Sequence, residues 1–167
     1  EVDKPALRQL VHHYVDLYAQ TMIDGYDQKG ARFRYLFSRL RETACAIVEN
    51  IADEMAVSDF RPIAFELGFG GKDGQLPAIT VTEGSTALSV RGKVDRVDGY
   101  IKNGRLYLRV MDYKSGKKSF SLSDIWYGLN MQLIIYLYAL QQEGLDRYRA
   151  RLTAELNEIV PAGVLYV

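Results

Sequence analysis

Asn103-Gly104, set between Leu88–Lys102 and Arg105–Gly116, constrains this chain more than any other dipeptide in it. Asn-Gly is the strongest short-range hairpin signal, because both residues tolerate the left-handed backbone of a two-residue loop. Both flanks are rich in Val, Ile, Leu and Tyr, as strands require. With this loop, Lys102 faces Arg105, and each step outward sets the next pair: Asp98 meets Arg109, and Asp95 meets Asp112. Side chains directly opposite share a face, with Cβ atoms about 4.5–5.5 Å apart, and two like charges there are destabilising unless positive charge lies between them. A divalent cation supplies that charge. Lys114 projects from the same face as Asp112, because strand side chains alternate with period two. On spacing alone, a metal site and a plain solvated strand end fit equally well. Asp98 and Arg109 fall on the opposite face, where a cross-strand ion pair worth about 0.2–1 kcal/mol is the structural expectation.

The rest of the chain is expected to supply one domain, since 167 residues with 48% hydrophobic content suffice for one well-packed core. Acidic and basic side chains balance at 21 each, so net charge neither favours nor excludes a polyanion, and a local patch is left open. The one cysteine, Cys45, rules out a disulfide framework or thiolate metal site within this chain and is expected to be a buried thiol. The sequence has no signal peptide and no long apolar run, so a soluble, intracellular, cytoplasmic chain without a membrane partner is expected. It starts without Met and stops within the strand-like Gly163–Val167, the pattern expected of a piece of a longer protein.

Taken in order, Lys4–Met22 predicts an amphipathic helix opened by Pro5, with Leu7, Leu10, Val11, Tyr14, Leu17 and Tyr18 on one stripe. His12 and His13 point about 100° apart on that helix and are not expected to share a metal. A second helix is expected from about Arg32 to Met55, its core stripe formed by Phe33, Leu36, Phe37, Leu40, Ala44, Ile47, Val48 and Ile51. Arg32, Arg34, Arg39 and Arg41 fall largely outside this stripe, where a solvated basic face is the favoured reading and contact with phosphate the alternative. Arg61–Phe69 then reads as a strand in which Glu66, between Phe65 and Leu67, is a third candidate carboxylate. Pro77–Thr82 predicts another strand. After a polar loop, a single helix capped by Ser123 is expected to run to about Glu143 with Gly144 as its stop. Its buried stripe would be Ile125, Trp126, Leu129, Leu133, Ile134, Leu137 and Leu140, and Gln132 and Tyr136 would stack four residues apart. A further short helix over Asp146–Glu158 and a strand over Pro161–Val167 are expected to complete the chain.

Three ordered blocks, Gly92-Lys93-Val94-Asp95-Arg96-Val97-Asp98, Met111-Asp112-Tyr113-Lys114-Ser115-Gly116 and Gln132-Leu133-Ile134-Ile135-Tyr136, resemble the RecB-type branch of the PD-(D/E)XK nucleases. Phe65–Gly70, Tyr127-Gly128-Leu129 and Pro161-Ala162-Gly163 narrow the resemblance to the nuclease regions of the AddB family of helicase–nuclease subunits. It covers the chain from about Arg34 onward. The resemblance implies an α/β, restriction-endonuclease-like fold with a mixed central sheet flanked by helices. The helices would occupy about 4–56 and the nuclease core about 60–167.

By the same resemblance Asp95 and Asp112 are metal ligands with Glu66 as an accessory acid, Lys114 is the catalytic lysine, and Gln132 and Tyr136 are the helix pair of this branch. The implied cofactor is Mg²⁺, with Mn²⁺ as a substitute, and the implied partners are DNA and a helicase–nuclease subunit. Two departures stand out. His12 and His13 lack the Gly-rich context of the branch's metal-binding His, so the helix carrying that His is expected to be missing here. The family's iron–sulfur cluster needs four cysteines, so those cysteines lie outside this piece or this member has none. A catalytically silent nuclease fold that binds DNA or scaffolds a complex is the second reading, opposed by the intact set Glu66, Asp95, Asp112 and Lys114. An unrelated domain using its acid pair for a structural cation is the third.

Overall fold

The computed structural model describes residues 2–24, 26–70, 75–114, 121–128, 131–152 and 155–167, which fall into two compact units, Glu1–Asp59 and Phe60–Val167. The first is a helical pair, α1 (Lys4–Met22) and α2 (Ala31–Val57), joined through a 3₁₀ turn at Tyr26–Gln28. Asp3 caps α1 by accepting the Ala6 N–H at 3.0 Å, so the helix opens just ahead of the predicted Pro5. Arg8 ties the helices together through Glu42 (2.9 Å) and Glu49 (2.5 Å), and Arg41 reaches Asp16 at 3.2 Å. His12 Nε2 lies 3.3 Å from Glu42. Two helices packed on each other bury only a narrow strip apiece, here centred on Ala19, Phe37 and Cys45. The predicted core stripes are therefore too broad: Leu10, Tyr14, Leu17, Tyr18, Leu36, Leu40 and Ile47 are exposed.

The second unit holds a four-stranded sheet in the order β1 (Arg61–Phe69), β4 (Gly92–Lys102), β5 (Arg105–Asp112), β6 (Glu158–Tyr166). Neighbours pair antiparallel except β5 and β6, which run parallel, so the sheet is mixed as expected. A parallel neighbour requires a crossover. Three helices supply it: α3 (Leu122–Trp126), α4 (Gln132–Glu143) and α5 (Leu145–Leu152). A separate antiparallel pair, β2 (Ile79–Glu83) and β3 (Thr86–Val90), precedes β4.

The β4–β5 register is the one that Asn103-Gly104 dictates, with both loop residues left-handed at φ 52° and 72°. It runs from Lys102↔Arg105 to Arg96↔Met111. Val97, Leu106, Leu108 and Val110 on this hairpin bury against Leu133, Leu137 and Leu140 of α4, forming the core.

The single helix expected up to Glu143 is two. Ser121, not Ser123, caps the first, accepting the Asp124 N–H at 3.2 Å, and the Ser-x-x-Asp spacing is the signal that marks it. Gly128 adopts φ 76°, which ends that helix as left-handed glycines do. The stripe is broken as a result: Trp126 is 87% exposed, and Leu129 lies outside the described residues. Gly144 does stop α4, its N–H bonded to the Leu140 carbonyl.

Tyr148 of α5 is fully buried and its hydroxyl meets no hydrogen-bond partner among the described residues; burial pushes its pKa up to about 12. The folded state therefore holds this proton more tightly than the unfolded chain, and stability is lost as pH rises from about 10 to 12. Tyr148→Phe removes both the orphaned hydroxyl and this slope. Urea denaturation should find the variant as stable as the parent or up to ~2 kcal/mol more so at pH 8, with the difference widening above pH 10.

Candidate active site

Asp112 ends β5 and is buried, while Asp95 sits one register step beyond the last paired residues, Arg96 and Met111. Continuing the ladder places the two acids opposite each other at one end of the sheet. Three contacts fix the group. The Tyr113 N–H donates to Asp95 Oδ2 at 2.9 Å, Lys114 Nζ lies 2.6 Å from Asp112 Oδ2, and the Asp112–Lys114 backbone is clamped by Val167. Val167 donates its N–H to the Asp112 carbonyl (3.1 Å) and accepts the Lys114 N–H (2.9 Å).

The Lys114 ammonium is ion-paired with Oδ2 of the buried Asp112 carboxylate. This contact holds the Lys114 ammonium above the ordinary lysine pKa; partial burial works against the rise and the more distant Asp95 adds to it.

On α4, Gln132 Nε2 donates to the Tyr136 hydroxyl at 2.8 Å, as their four-residue spacing predicts. The Tyr136 ring meets Phe69 edge-on at 5.2 Å. It also closes over Gly92 at the start of β4: a Cβ there would stand 2.6 Å from Tyr136 Cε1 and 2.8 Å from Phe69 Cζ. Tyr136 thus rests at the end of the sheet where Asp95 lies.

Glu66 is placed differently. In the β1–β4 ladder, Phe65↔Arg96 and Leu67↔Val94 pair on either side of it, so it stands at the step facing Asp95. Its φ is 51°, a left-handed conformation that costs a non-glycine residue on the order of 1 kcal/mol or more. Its carboxylate is ion-paired with Lys93, and both side chains are more than half exposed. Among the described residues, no three His, Cys, Asp or Glu side chains converge as a metal cage. The structure therefore gathers Asp95, Asp112 and Lys114, and leaves Glu66 at the margin.

Behind the acids, on the other face, the expected Asp98–Arg109 pair is part of a buried network rather than a plain surface bridge. Asp98 accepts from Arg96 (2.6 and 2.9 Å) and from Arg109 (3.0 and 2.8 Å), and both Asp98 and Arg96 are fully buried. Arg109 also lies 4.8 Å over the Phe60 ring. Arg96 reaches the Tyr113 hydroxyl at 3.4 Å, linking this network to the residue whose N–H holds Asp95. Sequence reasoning missed Arg96 and Tyr113. Arg96 was legible, because period-two alternation puts it on the face of Asp98.

The family model for the PD-(D/E)XK nuclease superfamily matches residues 2–167. Curated relatives, each named as a subunit of an ATP-dependent helicase/deoxyribonuclease, are similar over nearly the whole chain. The one from Clostridium tetani is 34% identical across 99% of this chain, and those from Acetivibrio thermocellus and Caldanaerobacter subterraneus are each 35% identical across 99%. The chain spans only 14% of the length of each of these relatives.

Proposed function

Because the chain belongs to the PD-(D/E)XK nuclease superfamily, we propose that it is a Mg²⁺-dependent nuclease module that hydrolyses DNA phosphodiester bonds within a helicase–nuclease. The observation that carries this is the meeting of Asp95, Asp112 and Lys114 at one end of the sheet, with the Lys114 ammonium ion-paired to the buried Asp112 carboxylate. The donor set fits the metal: two carboxylates offer hard oxygens, and Mg²⁺ keeps several waters rather than demanding an all-protein cage. Mn²⁺ accepts the same ligands. Asp95 and Asp112 would hold the ion, with Glu66 as the accessory acid.

When bound, such an ion polarises a phosphoryl oxygen and lowers the pKa of a coordinated water. Each residue then has a separate task. The Tyr113 N–H keeps one Asp95 oxygen oriented, so the other is free to ligate. Lys114, held protonated by its neighbouring carboxylates, orients the attacking water or neutralises charge growing on the phosphate. Gln132 and Tyr136 form a rigid hydrogen-bonded pair at the same end, suited to positioning the strand. The substrate is DNA ends unwound by the parent enzyme, a second helicase–nuclease subunit is the partner, and the setting is the cytoplasm, where such ends are repaired. No helix among the described residues is long and apolar enough to cross a membrane.

The test is cleavage of single-stranded DNA as Mg²⁺ or Mn²⁺ is titrated in and then chelated, with calorimetry of metal binding alongside. Lys114→Met should slow cleavage about 10²–10³-fold, the usual loss for one transition-state donor, and leave metal affinity unchanged or tighter. Removing an ammonium cannot weaken a cation's hold. Metal affinity falling in this variant would refute the division of roles, and the absence of metal-dependent cleavage in the parent enzyme would leave the silent-module reading standing.

A further inference from the structure

We propose that Lys93 is a positioning residue that holds the Glu66 carboxylate away from the acid pair until a cation enters. This rests on the reading of Glu66 as an accessory ligand. Three observations meet here. The ladder sets Glu66 at the step facing Asp95, between the pairs Phe65↔Arg96 and Leu67↔Val94. Its left-handed φ of 51° departs from the extended strand around it and turns the side chain from the course that simple alternation would give it. The carboxylate then meets Lys93, which lies two residues before Asp95 on the same strand.

The pairing accounts for the incomplete cage: two carboxylates stand at the strand ends and the third is occupied by an ammonium. Both partners are more than half exposed, so the pair is weak and a divalent cation displaces it. Lys93 thereby neutralises Glu66 in the metal-free protein, as Lys114 neutralises Asp112, so negative charge does not accumulate at this end of the sheet. The arrangement costs a modest amount of metal affinity, because the cation must compete with the ammonium for Glu66.

Calorimetry of Mn²⁺ binding without DNA, on the parent chain, Lys93→Met, Glu66→Gln and the double variant, tests this. Both side chains are exposed, so the variants keep the fold, which circular dichroism checks. Lys93→Met should tighten Mn²⁺ binding about two- to fivefold, the range of an exposed ion pair. Glu66→Gln should weaken it, and in that background Lys93→Met should add nothing. An equal gain in both backgrounds would mean Lys93 acts only as a distant charge and would overturn the proposal, as would a loss or no change in Lys93→Met. Glu66→Gln leaving affinity intact would overturn it too, while the nuclease reading stands so long as Asp112→Asn abolishes binding; if that variant also binds Mn²⁺ normally, the nuclease site itself is misread.

Discussion

Asp112→Asn should abolish metal-dependent cleavage, lowering kcat/KM by at least about a thousandfold, or ~4 kcal/mol of transition-state stabilisation. The substitution keeps the shape of the side chain and removes its charge. The amide cannot offer the buried Oδ2 as an anionic ligand, and it brings an N–H group to the place where a cation should sit. Calorimetry should show Mg²⁺ and Mn²⁺ binding lost together with activity. The backbone bonds between Asp112 and Val167 do not involve the side chain, so the thermal midpoint should move little. Made in a parent helicase–nuclease, the variant should still hydrolyse ATP and unwind duplex, since no motor residue is touched. Residual cleavage above a few per cent would show that Asp112 is not the principal ligand.

The second large effect is on stability. Asp98→Ala should destabilise the second unit by about 3–5 kcal/mol, because it leaves the fully buried Arg96 guanidinium without its carboxylate. That is a large share of the roughly 5–15 kcal/mol that holds an ordinary domain together. The comparison is Arg105→Ala at the other end of β5, which breaks the exposed pair with Glu158 and should cost no more than about 1 kcal/mol. Urea midpoints of the two variants separate the cases, provided the slopes agree. A loss under about 1 kcal/mol for Asp98→Ala would mean that water reaches the network.

What the sequence made legible was local. The turn chemistry of Asn103-Gly104 set the β4–β5 register, and with it the meeting of Asp95, Asp112 and Lys114. Alternation placed Asp98 on the opposite face, although nothing local reveals that this face is buried. Glu66 is the counterexample: alternation assumes extended backbone, and its left-handed φ invalidates the count. After Asp112 the apolar residues keep a helical period across Gly128, so periodicity alone predicts one continuous helix where the left-handed glycine marks an end. The broad stripes of α1 and α2 failed for another reason. Periodicity shows which face is apolar and says nothing of how much of it a single partner helix can cover.

The parallel seating of β6 beside β5 governs when the site can exist at all. Asp112 is paired with Tyr166, and its backbone and that of Lys114 are tied to Val167, so the acid-bearing strand end gains this neighbour only once β6 has crossed back by way of α3–α5. The β4–β5 hairpin closes in microseconds, whereas a distant parallel pairing must overcome its loop entropy first and comes late. The two acids are therefore brought opposite each other early, and the strand end that carries Asp112 is tied down late.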